Sequence, residues 1–210
     1  MTLTRRTALA SLAALMASPA FAAGLSPEDK VLAQKAAAGL QALNEVKGRF
    51  EQTDARGGRT TGTLYLKRPG KARFAYDPPS GLTVVSDGKV VTIADTRLKT
   101  FNRYPLSATP LALFLAKEVR LDKGVTISRV DRRPDGFSVT ARDGARKTRG
   151  AITLEFGNGE PAELKGWSLL DAQGATTRVR ITGLAPAALD AALFVIKDTR
   201  LRGGGARPGM

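Results

Sequence analysis

The 210-residue chain contains no cysteine and no histidine. Those two absences remove disulfides, thiol nucleophiles, zinc sites of the Cys/His type and imidazole acid–base catalysis together. They leave the compartment open, because an oxidising space permits disulfides without requiring them. Aromatic residues make up only 6% of the chain while glycine reaches 22 residues, a balance that suits many turns better than a helical bundle. Beyond the first 22 residues no apolar run is long enough to span a membrane as a helix, so the mature chain is expected to be soluble.

What is plentiful is positive charge: 33 basic against 19 acidic residues. Two of the arginines, Arg5 and Arg6, open an export signal. The apolar run Ala8–Ala17 follows, and Ala20-Phe21-Ala22 reads as an A-x-A cleavage signature. Cleavage is expected after Ala22, by the general route in preference to twin-arginine export, and the protein is expected in the periplasm. Removing residues 1–22 takes away two arginines and no acid, leaving 31 basic against 19 acidic residues, a net charge of +12. Such a balance invites a nucleic-acid reading. Export, dispersed charges and the lack of any RNP-like or helix-turn-helix pattern argue against it. A solvated basic surface is expected, with attraction to anionic lipid headgroups or an acidic partner as its functional use.

The mature chain opens on one helix. Ser26 is a good N-cap, Pro27 suits the first helical position, and Glu28 and Asp29 complement the positive helix end. Leu32, Ala36, Gly39, Leu40, Leu43 and Val46 then recur at three- and four-residue steps, which predicts a helix over 27–45 with one apolar stripe. Strands follow at Arg49–Thr53 and, between Thr61 and Thr92, in four short runs broken at Arg68-Pro69-Gly70, Pro78-Pro79-Ser80-Gly81 and Asp87-Gly88. A strand near Thr100–Tyr104 leads to a short apolar helix over 110–116, begun by Thr109-Pro110. Five further strands are expected near 125–132, 136–142, 150–156, 163–170 and 176–182, with turns at Pro134-Asp135-Gly136, Asp143-Gly144, Gly157-Asn158-Gly159 and Gln173-Gly174. Residues 186–196 hold a helical turn. Residues 23–201 are read as one domain and residues 202–210 as a flexible tail.

Strands spaced by Asx-Gly turns indicate an antiparallel, hairpin-rich sheet. Leu82-Thr83-Val84-Val85, Val90-Val91-Thr92-Ile93 and Trp167-Ser168-Leu169-Leu170 are apolar on both faces, so both faces need cover. The expected fold is therefore mainly β with α: an incompletely closed antiparallel β-barrel, with helices forming a lid over a hydrophobic cavity. A plain filled barrel or sandwich is the alternative.

Catalysis has little to stand on. Neither Gly136-Phe137-Ser138 nor Gly166-Trp167-Ser168 completes a nucleophile elbow. Asp77, Asp87, Asp95 and Asp122 are the candidates for a carboxylate pair. Asp87, Asp135 and Asp143 are better explained as turn formers before glycine. The chain is expected not to be an enzyme and to use no cofactor or metal.

The order of Gly62-Thr63-Leu64-Tyr65-Leu66-Lys67-Arg68-Pro69-Gly70, Arg73-Phe74-Ala75-Tyr76 with Pro78-Pro79, and Ser86-Asp87-Gly88-Lys89 resembles the family of periplasmic outer-membrane lipoprotein carriers (LolA). The likeness extends over residues 31–198 through Phe50-Glu51-Gln52, Thr109-Pro110-Leu111 and Leu189-Asp190 with Phe194. It implies a half-open, helix-lidded barrel that acts as a monomer and carries triacylated lipoproteins. An inner-membrane ABC-type complex would load it, and an outer-membrane acceptor lipoprotein or the membrane surface would unload it. Lacking a cysteine to acylate, the chain is not itself such a cargo. By family position, Leu40, Leu43, Phe74, Tyr76, Leu111, Ala112 and Phe114 would line the ligand cavity. Arg68 would latch the lid by hydrogen-bonding backbone carbonyls of the covering elements. Ala72 stands where the family often has an aromatic that engages the release complex, so docking would fall to Lys71 and Arg73 around it. A related periplasmic module for a glycolipid or another apolar ligand, or a sensor of mislocalised lipoproteins, is the alternative function.

Overall fold

The computed structural model describes residues 24–109, 111–120, 125–143 and 150–196. The export signal with its cleavage point, Pro110, Asp122, Gly144 and the tail from Arg202 lie outside the described residues. Helix α1 runs Pro27–Ala42, with Ser26 Oγ accepting from the Asp29 amide at 3.1 Å. Its buried positions are Ala33, Ala36, Gly39 and Leu40, a stripe at helical spacing. It stops earlier than expected. Leu43 is its extended C-cap, and Val46 already belongs to the first strand. The apolar spacing misleads here because Val46, Gly48 and Phe50 continue as the buried alternate positions of a strand.

Eleven strands follow among the described residues: β1 (Glu45–Thr53), β2 (Arg59–Lys67), β3 (Lys71–Tyr76), β4 (Leu82–Asp87), β5 (Val90–Asp95), β6 (Thr100–Pro105), β7 (Val125–Arg133), β8 (Gly136–Asp143), β9 (Ala151–Gly157), β10 (Leu164–Leu170) and β11 (Thr176–Pro186). They form one antiparallel sheet in the order β6-β5-β4-β3-β2-β1-β11-β10-β9-β8-β7. The first and last strands pair in its middle, Phe50 opposite Ile181. β6 and β7, consecutive in the chain, stand at opposite edges, so the sheet does not close. The segment joining them must therefore pass from one edge to the other. It carries a 3₁₀ turn at Leu106–Ala108 and a short helix α2 at Leu111–Phe114, less than the helix over 110–116 that the sequence suggests.

The concave side holds the main core, in which Leu40 of α1 and Phe114 of α2 join Phe50, Leu64, Leu66, Phe74, Leu154 and Trp167. A second, smaller core lies on the convex side, where Val85 packs under Leu189 and Phe194. After β11 the chain returns across that side as a strap containing a 3₁₀ turn, Ala191–Phe194, capped by the Asp190 carboxylate. The Lys67 ammonium donates to Leu189 O at 2.8 Å and to Glu45 at 3.0 Å, fastening the strap to the sheet. This strap is what covers the second apolar face of β4. On β10 the expectation of two covered faces fails: Trp167 is buried, whereas Leu170 is 39% exposed.

Candidate functional site

The concave interior is built from rings on neighbouring strands. Phe74 and Tyr76 alternate along β3 and therefore share its inward face. Phe50 on β1 meets both edge-on, with centroids 5.6 Å from Phe74 and 5.0 Å from Tyr76. Trp167 on β10 stands 5.9 Å from Phe74 and 5.6 Å from Phe114, so ring contacts run from sheet to lid helix. Offset and edge-on pairs of this kind add about 0.5–1.5 kcal/mol each beyond their burial. The Tyr76 hydroxyl in this series donates to Gln52 Oε1 at 2.7 Å. Burial pushes the Tyr76 phenol up to about 12, with the Gln52 bond opposing.

The residues expected to line the cavity are brought together. Leu40, Phe74 and Phe114 are buried, and Leu43, Tyr76 and Leu111 pack half-buried against the same cluster. Ala112 is half-buried on α2. Phe50 and Trp167 belong to the same interior but were not singled out from the sequence. The signals that mark them as inward are the alternation of Trp167 with Leu169 on β10 and of Phe50 with Val46 and Gly48 on β1.

Arg68 sits in the turn between β2 and β3. Gly70 closes that turn at φ 81°, where a Cβ would come within 2.8 Å of Gly88 Cα, so the residue has to be glycine. The turn is held on several sides. The Arg68 amide donates to Asn44 O at 2.8 Å, the Gly70 amide to Leu115 O at 2.8 Å, and Ser86 Oγ to Gly70 O at 2.6 Å. The Arg68 guanidinium reaches under the lid, donating from one nitrogen to Leu40 O on α1 and from the other to Ala116 O beyond α2 at 2.5 Å. Its Nε is buried with no partner among the described residues, and loss of water around the group lowers its pKa from the usual value. A desolvated, unpaired N–H offsets part of what the two bonds contribute, which keeps such a fastening reversible.

The three positions expected to dock a partner are separated by the strand's alternation. Lys71 and Arg73 point outward, and Arg73 donates to Leu193 O of the strap at 3.1 Å. Ala72 is fully buried, facing inward between Leu66 and Ser86 in the pairing, so its methyl presents no surface to a partner. The carboxylates have structural employment. Asp87 accepts from the Lys89 and Val90 amides, and Asp95 from those of Arg97 and Leu98. The Arg49 guanidinium pairs with Asp77 and, with the Thr61 hydroxyl, holds its carboxyl at about 2. Among the described residues no group of three metal-ligating side chains is found. No described helix is long and apolar enough to cross a membrane. A cavity of about 640 Å³ opens between the β1–β2 and β10–β11 turns, but Asp54, Gln173 and Arg178 on its wall make it unsuited to acyl chains.

Two relatives, the outer-membrane lipoprotein carrier proteins of Bordetella pertussis and Bordetella bronchiseptica, are each 28% identical over 196 residues, covering 89% of this chain and 89% of their own. Among solved structures, a LolA superfamily protein from Nitrosomonas europaea aligns with 80% of this chain and 97% of its own at 9% identity and a TM-score of 0.45. The Mycobacterium tuberculosis lipoprotein LppX aligns with 77% of this chain and 100% of its own at 13% identity and a TM-score of 0.44. The family model for the outer membrane lipoprotein carrier protein LolA matches residues 41–197, from the end of α1 through β11 and the strap, and the chain belongs to that family.

Proposed function

We propose that this protein is a periplasmic carrier that takes up the acyl chains of lipoproteins beneath its lid and shuttles them from the inner to the outer membrane, without a catalytic step. The observation that carries this reading is Arg68: one guanidinium ties both covering elements, at Leu40 O and Ala116 O, over an interior of aromatic and aliphatic side chains. Each acyl methylene is worth about 0.8 kcal/mol of burial, so two or three long chains resist water by roughly 20–40 kcal/mol. A soluble escort has to replace most of that with apolar contact and still let go. A lid held by a few polar bonds above an interior lined with rings meets both demands. With the lid down, the interior is filled by its own side chains, so loading means parting α2 from the sheet and giving Phe114 and Trp167 an acyl chain in place of each other. Direction comes from the partners: an inner-membrane ABC-type release complex that loads the carrier, and an outer-membrane acceptor that receives the cargo. Lys71 and the outward side of the Arg68 turn offer the docking surface.

The test is release of newly made lipoprotein from inner-membrane spheroplasts. Mature protein should bring triacylated lipoprotein into the medium as a soluble complex. Arg68→Leu should fold and bind but fail to pass cargo on. Normal transfer by that variant removes Arg68 from the mechanism. Free lipid in the purified protein, with no lipoprotein released, replaces the reading by that of a lipid-binding module.

A further inference from the structure

We infer that Gln41 is a second positioning residue of the lid, closing with Arg68 a single clasp around the stretch that leaves α2. Gln41 lies exposed in the last turn of α1. Its Nε2 donates to Lys117 O at 3.1 Å, and its Oε1 accepts from the Val119 amide at 3.0 Å. A primary amide carries donor and acceptor in one plane, so it can pair with a segment of backbone much as a neighbouring strand does. Arg68 takes the preceding carbonyl, Ala116 O, and also Leu40 O, the residue beside Gln41. Three backbone groups of residues 116–119 are thus held by two side chains, and both side chains are tied to the same end of α1.

The two covering elements differ in how they are held. α1 is seated firmly. A Cβ at Gly39 would lie 2.3 Å from Ala162 O, so helix and loop are in backbone contact there. Lys35 pairs with Glu160 at 2.6 Å and Arg132 with Asp29 at 2.8 Å, binding α1 to the β7–β10 half of the sheet. The stretch 116–119 is secured at its polar groups by Gln41 and Arg68 instead. The bond to Lys117 is open to water and the bond from Val119 is half-buried, each worth roughly a two- to tenfold shift in an equilibrium. α1 is therefore the fixed jamb and the stretch 111–119 the moving leaf, with Gln41 setting how often it swings.

This inference rests on the carrier reading only for what the opening is for; the clasp itself is tested without cargo. Hydrogen exchange of the Val119 amide, followed in the full mature chain, should speed up about tenfold in Gln41→Met, with α1 amides and the thermal midpoint little changed. Gln41→Glu keeps the acceptor and loses the donor. With the Val119 bond kept and the Lys117 bond lost, at neutral pH it should exchange at a rate between wild type and Gln41→Met, and, compared with wild type at the same pH, it should close the gap below the ordinary glutamate range near 4.3, where a protonated carboxyl donates again. Unchanged Val119 exchange in Gln41→Met overturns the inference, as does uniform acceleration across the whole chain, which is plain destabilisation. A separate arm follows uptake of the apolar dye bis-ANS. Faster uptake in Gln41→Met supports the clasp as the gate. Faster amide exchange with no uptake in wild type, Gln41→Met or Arg68→Leu leaves the clasp standing and removes the carrier reading.

Discussion

At Tyr76 two effects oppose each other, and the outcome is measurable. Burial raises the phenol pKa to about 12 while the bond to Gln52 works the other way. A pKa raised in the folded state means a contribution that is complete below the unfolded value near 10 and fades as pH climbs from there toward 12. In an ultraviolet titration of the three tyrosines, one should ionise late, near 12, and Tyr76→Phe should delete that late step. Asp77 has the opposite sign. Its carboxyl is held at about 2 by Arg49 first and Thr61 second, so its contribution is complete above the ordinary aspartate range near 4 and is lost as pH falls through 2. Arg49→Ala should flatten that part of an acid-unfolding profile. Residues differ in how legible they were. Arg68 was visible because the residues around it match a known pattern. Gln41 was not: sequence alone reads it as the polar face of a helix, and its partners lie 76 and 78 residues away. The burial of Ala72 follows from the strand's alternation, which sends it inward between Lys71 and Arg73 although it lies near a turn.

Helix α1 offers the sharpest prediction among the elements. Gly39→Ala gains helix propensity worth about 1 kcal/mol. It also drives a methyl to 2.3 Å from Ala162 O, a contact that has to be relieved by moving helix or loop, at about 1–3 kcal/mol. The clash wins, so equilibrium denaturation should show a net loss of stability of roughly 1 kcal/mol; a gain would mean that α1 rides higher on the loop than the contact implies. The hairpins were the most readable elements, since Asp87-Gly88 and Gln173-Gly174 carry turn chemistry in their own residues. The end of α1 was not readable, because Leu43 and Val46 satisfy the helical spacing while Val46 also begins the inward alternation of β1. The strap illustrates a different limit. Apolar pairs such as Val84-Val85 announce that something covers both faces, but only the tertiary structure supplies Leu189 and Phe194 as the cover on the convex side.

For the whole molecule, topology and chemistry converge. Pairing β1 with β11 sends β6 and β7 to opposite edges, so the chain has to run from one edge to the other, and Phe114, Leu115 and Val119 in the main core put the described part of that run on the concave side. A lid follows from that strand order together with those apolar anchors, and the rings beneath it give the lid something apolar to shelter. The single tryptophan stands in the middle of this arrangement, 6% exposed and in ring contact with both sheet and lid. It is a native reporter for the central claim that acyl chains enter the concave interior. The decisive measurement is Trp167 fluorescence on adding a synthetic triacylated lipopeptide with brominated chains, beside its unbrominated twin. Saturable quenching by the brominated form alone, and a faster approach to it when Arg68 or Gln41 is substituted, is the predicted result. Binding of the lipopeptide with Trp167 emission untouched by bromine would put the chains somewhere other than under the lid and contradict the account.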